Sequence, residues 1–313
     1  MIKPGQFPSE TSAAGAFVRQ AYTIRDRITA DGSSGFPAVP GRYHLYVSLA
    51  CPWAHRAIIV RRLLGLEGIV SMSVVDPIRD ERGWAFRNGE GHGPDPVRGF
   101  QFLSEAYLET EPSFTGRYTV PCIWDRVKDG LVTNNYPDIT IDFETQFTAY
   151  HAPGAPNLYP DRMRPDIDAI NTVVYEDVND GVYKAGFATS QAAYEAAVDA
   201  LFTRLDWLDA RLATRRFLVG DAVTEADIRL FTTLVRFDAV YYLHFKCNVR
   251  RLVDYPNLWA YARDLYQRPG FGETVNMDHI TRHYYMTHDR LNPSHIVPVG
   301  PEVDWTAPHH RSL

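Results

Sequence analysis

An α/β domain followed by an all-helical domain is the architecture this sequence predicts, and three observations carry it. Short apolar strands alternate with helical patterns between residues 43 and 147. A Pro/Gly-rich stretch, HAPGAPNLYP, then interrupts the chain near residue 150. Beyond it, apolar residues recur at three- and four-residue steps, the spacing of amphipathic helices. A length of 313 residues is enough for two domains. The boundaries expected are an N-terminal extension over residues 1–40, a first domain over 41–150 and a helical domain over 160–313.

Within the extension, Phe17 to Ile28 has the pattern of a short helix, and ADGSSGFPAVPG is a loop. Tyr43 to Leu49 is apolar enough for a buried strand. Pro52 suits the first turn of the helix that follows to Leu64, where its missing N–H costs nothing. Ser71 to Asp76 is a second strand, completing a βαβ unit. Residues 79–117 are a polar, Gly/Pro-rich insertion; its GEGHGPD segment lacks the strand–loop–helix context of a phosphate loop and is expected to be mobile. TVPCIWD predicts a third strand, VKDGLV an Asp-Gly turn into a fourth, and Asn134 to Phe147 a helix. A βαβ unit followed by ββα, with a proline opening the third strand, is a thioredoxin-like layout. There Pro121 is expected to be cis and close to the thiol site. In the second half, Tyr194, Val198, Leu201, Leu205, Leu208 and Leu212 form one apolar stripe, and Thr224 with Asp227 makes an N-terminal capping box. A thioredoxin-like α/β domain followed by an all-α domain is the glutathione transferase arrangement.

Composition narrows the function. A hydrophobic content of 45% and a charged content of 22% are those of a globular protein. A net charge of −6 gives no reason to expect nucleic acid or an anionic membrane as partner. Three widely spaced cysteines (Cys51, Cys122 and Cys247) argue against a disulfide framework and for a reducing compartment. The N-terminus has no apolar signal core and no apolar stretch reaches membrane-spanning length, so the expected location is cytoplasmic.

Cys51 carries the chemistry. It lies between a strand and a helix, where unpaired N–H groups and the helix dipole favour a negative charge. His55 and Arg56, one turn on, add positive potential. That setting lowers a thiol pKa and favours a nucleophilic thiolate; the plainer reading is a small buried hydrophobe. CPWA has no second cysteine three residues on, so Cys51 needs an external thiol to resolve a mixed disulfide. Cys122, on a strand, and Cys247, after an aromatic-rich helix, are expected to be inert. Asp278, His279, His283 and His288 include two histidines at i and i+4, a metal-ligand spacing, but without the glutamate of HExxH. Structural or substrate-side roles suit them better than zinc, and no metal is expected.

The chain closely resembles the glutathionyl-hydroquinone reductases, the Xi class of glutathione transferases. The resemblance lies in RYHLYVSLACPWAHR, GWAF, GRYTVPCIWD, GVYKAGFA, VTEADIRLF, HFKCN, DYPNL, ETVN and HYYMTH, in that order and over nearly the whole length. It implies reduction of S-conjugated hydroquinones: the cysteine attacks the thioether sulfur, the hydroquinone leaves, and a second thiol frees the enzyme. It implies a homodimer, and Tyr183 and Tyr285 as partners of the phenolic oxygens; any one of the 18 tyrosines could equally be core packing. For a glutathione-type thiol it implies Trp84, Arg117 and the backbone of Val120 before Pro121. The family's acidic–serine pair, however, falls on Asn135 and Tyr136 in TNNYPD. Losing the carboxylate leaves a γ-glutamyl ammonium poorly compensated, by roughly 1–3 kcal/mol. A neutral pair suits a thiol without that end, such as mycothiol; the alternative is drift in a site that still takes glutathione. Two other functions remain open at this point, an Omega-like thiol transferase or dehydroascorbate reductase, and a scaffold without activity.

Overall fold

The computed structural model describes residues 10–311, which form two compact units. One contains residues 20–156 and 276–283; the other contains 10–19, 157–275 and 284–311.

The first unit is built on a four-stranded sheet of order β2-β1-β3-β4. β1 (Tyr43–Val47) runs parallel to β2 (Ser71–Val74) and antiparallel to β3 (Cys122–Asp125), which pairs with β4 (Gly130–Thr133). All residues of β1 and β3 are buried, His44 and Asp125 included, so neither strand alternates between an inner and a solvent face. Helix α1 (Pro52–Leu63) starts with Pro52 in its first turn. It stops at Gly65, whose φ of 69° is left-handed; a Cβ there would come within 2.5 Å of the Ala152 side chain. Helix α3 (Tyr136–Thr145) packs beside α1 and also opens on a proline-containing turn. The peptide bond between Val120 and Pro121 is cis, as the thioredoxin-like layout requires.

Two stretches depart from expectation. No helix forms over Phe17 to Ile28; the chain there is extended. Its middle satisfies the open edge of β4: Asp26 N–H donates to Val132 O at 3.1 Å and Asn134 N–H to Ile24 O at 3.0 Å. Arg27 then grips the Asp142 carboxylate of α3 through Nε at 3.0 Å and Nη2 at 2.5 Å. Unpaired strand edges and a buried carboxylate outweigh a weak helical spacing. The insertion, in turn, holds a helix, α2 (Leu103–Thr110), whose Glu105 side chain accepts from Phe102 N–H at 3.0 Å. Thr110 Oγ1 also accepts from Leu131 N–H at 2.8 Å, tying α2 to β4.

The second unit is helical: α4 (Arg164–Val174), α5 (Gly181–Gly186), α6 (Gln191–Leu212), α7 (Glu225–Arg236) and α8 (Pro256–Tyr266), joined by the part of α9 (Met277–Thr287) from Tyr284 onward. Along α6 the stripe is buried from Leu201 to Leu212, while Tyr194 and Val198 are half-buried. The Thr224–Asp227 box forms, and Asp227 does more than cap. Its carboxylate accepts from Thr224 N–H at 2.8 Å, from Leu218 N–H at 2.9 Å and from the Tyr261 hydroxyl at 2.7 Å. Two π-helical turns, Tyr175–Asn179 and Phe237–Tyr241, follow α4 and α7; such turns recur near functional groups.

Candidate active site

In the thiol-bearing unit, Cys51 is the N-cap residue of α1, with φ −77° and ψ 121°. Its carbonyl accepts the first helical bond, from His55 N–H at 3.0 Å, and its Sγ lies 3.4 Å from the carbonyl oxygen of Val120. The thiol is thus set between a helix N-terminus and the backbone preceding cis-Pro121. Cys51 is half-buried, whereas Cys122 and Cys247 are fully buried and burial pushes both their thiols up, which keeps them protonated. His55 and Arg56 are both buried. The Arg56 guanidinium lies over two rings, 4.7 Å from the centre of Trp53 and 5.0 Å from that of Tyr136.

Those rings link α1 to the Asn135–Tyr136 pair. Tyr136 is buried against Trp53, with centroids 4.8 Å apart, and meets Tyr22 edge-on at 5.5 Å. Asn135 stands at the N-cap position of α3, and its Nδ2 donates to Asp138 Oδ2 at 2.6 Å. Asp138 also lies 3.4 Å from Nη1 of Arg27. Cys51, Val120, Pro121, Asn135 and Tyr136 are therefore brought together at one end of the sheet. Trp84 is held by other contacts: its ring stacks on His283 at 4.9 Å and 20°, with the Arg79 guanidinium 5.0 Å from its centre. Arg117 is half-buried on the segment leading to Val120.

Neither histidine of the i, i+4 pair is set up as a metal ligand. His279 Nε2 donates to Glu90 O at 2.7 Å and His283 Nδ1 to Pro77 O at 2.8 Å. Among the described residues no group of three His, Cys, Asp or Glu side chains could hold a metal ion. The His279 bond also fixes the GEGHGPD segment, where Gly89 and His92 form a β-bridge; it is a built turn tied to α9.

In the helical unit three phenol hydroxyls form a chain. Tyr183, on α5, shares a hydrogen bond of 2.5 Å with Tyr284, and Tyr284 one of 3.0 Å with Tyr241. Burial, and then the neighbouring phenols, hold the Tyr284 hydroxyl far above the usual tyrosine range, so it stays a neutral donor. Tyr285 behaves differently. Its hydroxyl donates to the Ala239 carbonyl at 3.2 Å, and burial pushes its pKa up to about 12. Sequence reasoning singled out Tyr285 and passed over Tyr284 and Tyr241. The four-residue spacing of Ile280 and Tyr284 on α9, continued by His288 just past its end, puts these three on one side, and all three are buried, as is Tyr285. Beside the chain, His244 Nε2 and His288 Nδ1 share a hydrogen bond of 3.0 Å.

The glutathione S-transferase N-terminal domain family matches residues 50–146, and its C-terminal domain family matches residues 191–264. Glutathionyl-hydroquinone reductase YqjG of Escherichia coli is 47% identical over 96% of this chain and 94% of its own length. PcpF, the enzyme of that name from Sphingobium chlorophenolicum, is 47% identical over 93% of this chain and 91% of its own. Among solved structures, a glutathione transferase from Gordonia bronchialis superposes with a TM-score of 0.90 at 52% identity, covering 93% of this chain and 90% of its own. The glutathione-bound YqjG structure gives a TM-score of 0.90 at 48% identity over 92% of this chain and 96% of its own. With the lone thiol at a helix N-terminus and the cis-proline beside it, these matches settle the kinship: the chain belongs to the glutathionyl-hydroquinone reductases, the Xi class of the glutathione transferases.

Proposed function

We propose that this protein reduces S-conjugated hydroquinones, with Cys51 as nucleophile and a low-molecular-weight thiol as co-substrate. The observation that carries the reading is the solitary half-buried thiol at the start of α1, 3.4 Å from the Val120 carbonyl. The reaction balances as follows. A proton shifts from a phenolic hydroxyl to the sulfur-bearing ring carbon, giving the keto tautomer of the conjugate. The Cys51 thiolate attacks the thioether sulfur, an S–S bond forms and the C–S bond breaks. The electron pair returns to the ring, leaving a C–H bond and a phenolate oxygen that takes a proton from a tyrosine. A second thiol attacks the mixed disulfide, releases a disulfide and frees Cys51.

Tyr183 is the proton donor in this reading. Tyr284, hydrogen-bonded to Tyr183, replaces Tyr285, which the family resemblance suggested as a second partner of the phenolic oxygens; the engagement of the Tyr285 hydroxyl with Ala239 supports the exchange. Trp84, Arg117 and the Val120 backbone hold the thiol, the last as an added strand holds its neighbour. The preferred thiol is mycothiol rather than glutathione. In support, a neutral amide and a packed aromatic ring stand where the family has an acidic residue and a serine, and Asp138 is already engaged by Asn135 and Arg27. A cytoplasmic homodimer completes the proposal. No helix among the described residues is long and apolar enough to cross a membrane.

The test is single-turnover release of hydroquinone from a glutathionyl and a mycothiolyl conjugate, with mass spectrometry of Cys51 after mixing. Hydroquinone release with a mixed disulfide on Cys51 is expected; no release from either conjugate overturns the activity. Faster regeneration by glutathione than by mycothiol overturns only the choice of thiol.

A further inference from the structure

Residues 10–19 form a strap laid on the turn that carries Tyr183. Thr189 N–H donates to Gly15 O at 2.9 Å, the Ser190 hydroxyl to Ala14 O at 2.7 Å, and the Phe17 ring meets Phe187 at 5.4 Å. Gly15 has a φ of +83°, and a Cβ on it would come within 2.9 Å of Ser190, so this approach requires glycine. At the end of the strap, Arg19 Nε donates to Asp180 Oδ1 at 2.7 Å. The Arg19 guanidinium carbon lies 5.0 Å from the centre of the Tyr183 ring. Asp180 O accepts the Tyr183 N–H at 2.9 Å, so carboxylate, guanidinium and phenol share one turn of chain.

We infer that Arg19 is a positioning residue for the reaction: it holds a positive charge against the face of Tyr183 and stabilises the phenolate formed when Tyr183 gives up its proton. The inference rests on the role proposed above for Tyr183. When the Tyr183 O–H proton passes to the phenolate oxygen of the departing hydroquinone, the negative charge moves to Tyr183 until a solvent proton replaces it. A cation near a ring face attracts a phenolate more strongly than the quadrupole of a neutral phenol, and more so where water is excluded. The ring and hydroxyl contacts described for Tyr183 other than Arg19 are aromatic. Tyr284 and Tyr241 continue the chain of hydroxyl hydrogen bonds, and Phe187, Tyr241 and Phe245 pack on the ring. Asp180 is countered by Arg19 itself, Arg236 acts on Tyr284, and His244 is kept neutral by burial.

The experiment measures single-turnover hydroquinone release against pH for the wild type, Arg19→Lys, Arg19→Gln, Arg19→Gln/Asp180→Asn, Tyr183→Phe and Tyr183→Phe/Arg19→Gln. Arg19→Gln is expected to slow release about tenfold, the size of a moderately desolvated cation–π contact. It should also move the upper limb of the pH profile to higher pH. Arg19→Lys should recover most of the rate. The Arg19→Gln/Asp180→Asn variant removes the carboxylate that Arg19→Gln strands, so it remains testable if the single variant fails to fold. It should keep the defect. Recovery of the wild-type rate and profile in that variant overturns the inference, since Arg19 would then serve only to neutralise Asp180. So does a further loss when Arg19→Gln is added to Tyr183→Phe. A wild-type rate in Tyr183→Phe removes the underlying reading instead, which separates the two failures.

Discussion

The two units present their chemistry by different means. Around Cys51 the contacts that matter are main-chain groups: the N-terminal end of α1, the Val120 carbonyl and the cis peptide bond after it. Around Tyr183 they are side chains: two further phenols, and a guanidinium with its carboxylate. A backbone-built site tolerates exchange of most neighbours, because the groups it uses are common to every residue. A side-chain-built site depends on the identity of each member. Attack by the thiol should therefore be insensitive to most substitutions except at Cys51, leaving the side chains around it to set which thiol binds, and the phenol end should be sensitive at several positions.

The comparison breaks first at the nucleophile. Cys51→Ser is expected to lower turnover more than a thousandfold with an unchanged circular dichroism spectrum, while Cys122→Ala and Cys247→Ala stay within a few-fold of wild type in the same assay. Appreciable turnover in Cys51→Ser would move the chemistry elsewhere.

Each unit also carries one buried histidine whose pKa is lowered to about 4, His44 in the sheet and His244 beside the phenols. In each case burial is the main cause, followed by Arg126 and Lys246 respectively. A lowered folded value means that the unfolded chain takes up the proton first. Stability is full above about 6.5 and is lost as pH falls toward 4, by up to about 3 kcal/mol per histidine. Denaturant titrations between pH 7 and 4 check this. Replacing His44 or His244 with Gln should flatten the profile, and an unchanged slope in both variants would show that neither histidine is responsible.

Among the phenols, Tyr284→Phe should slow hydroquinone release by roughly a hundredfold, the worth of a hydrogen bond to the phenolate that Tyr183 becomes. Tyr285→Phe should cost about 1 kcal/mol of stability and little rate, as expected for one hydroxyl bonded to a backbone carbonyl. Equal rates for the two variants would erase the distinction drawn between these neighbours. The smallest effect concerns recognition. Asn135→Glu with Tyr136→Ser should shift thiol preference toward glutathione about tenfold in kcat/KM, the worth of one charge-assisted hydrogen bond.

The same contrast explains what was legible in the sequence. The α1 start at Pro52 and the Thr224–Asp227 box follow from residues whose backbone preferences are strong and local, and the cis bond at Pro121 from the thioredoxin-like order of elements. The sheet strands were equally plain. The phenol chain was not, because Tyr284 and Tyr285 are both buried and only their hydroxyl partners, Tyr183 and Tyr241 for one and the Ala239 carbonyl for the other, tell them apart. Residues 17–28 misled for a related reason: their conformation is decided by partners more than 100 residues away, such as Asp142 and the β4 edge.

That edge has a consequence for how the protein behaves at high concentration. Left open, β4 would offer a row of amides to any other extended chain; residues 24–26 occupy it. On the opposite side of the sheet, the insertion attends to the β2 side, where Gly93 N–H donates to Val74 O at 3.4 Å and Ala85 O accepts from Asp76 N–H at 2.9 Å. Two additions that look dispensable beside a minimal four-stranded unit thus act as selvedges, finishing both borders of the sheet. Trimming the chain toward that minimum would trade a shorter protein for one with adhesive borders.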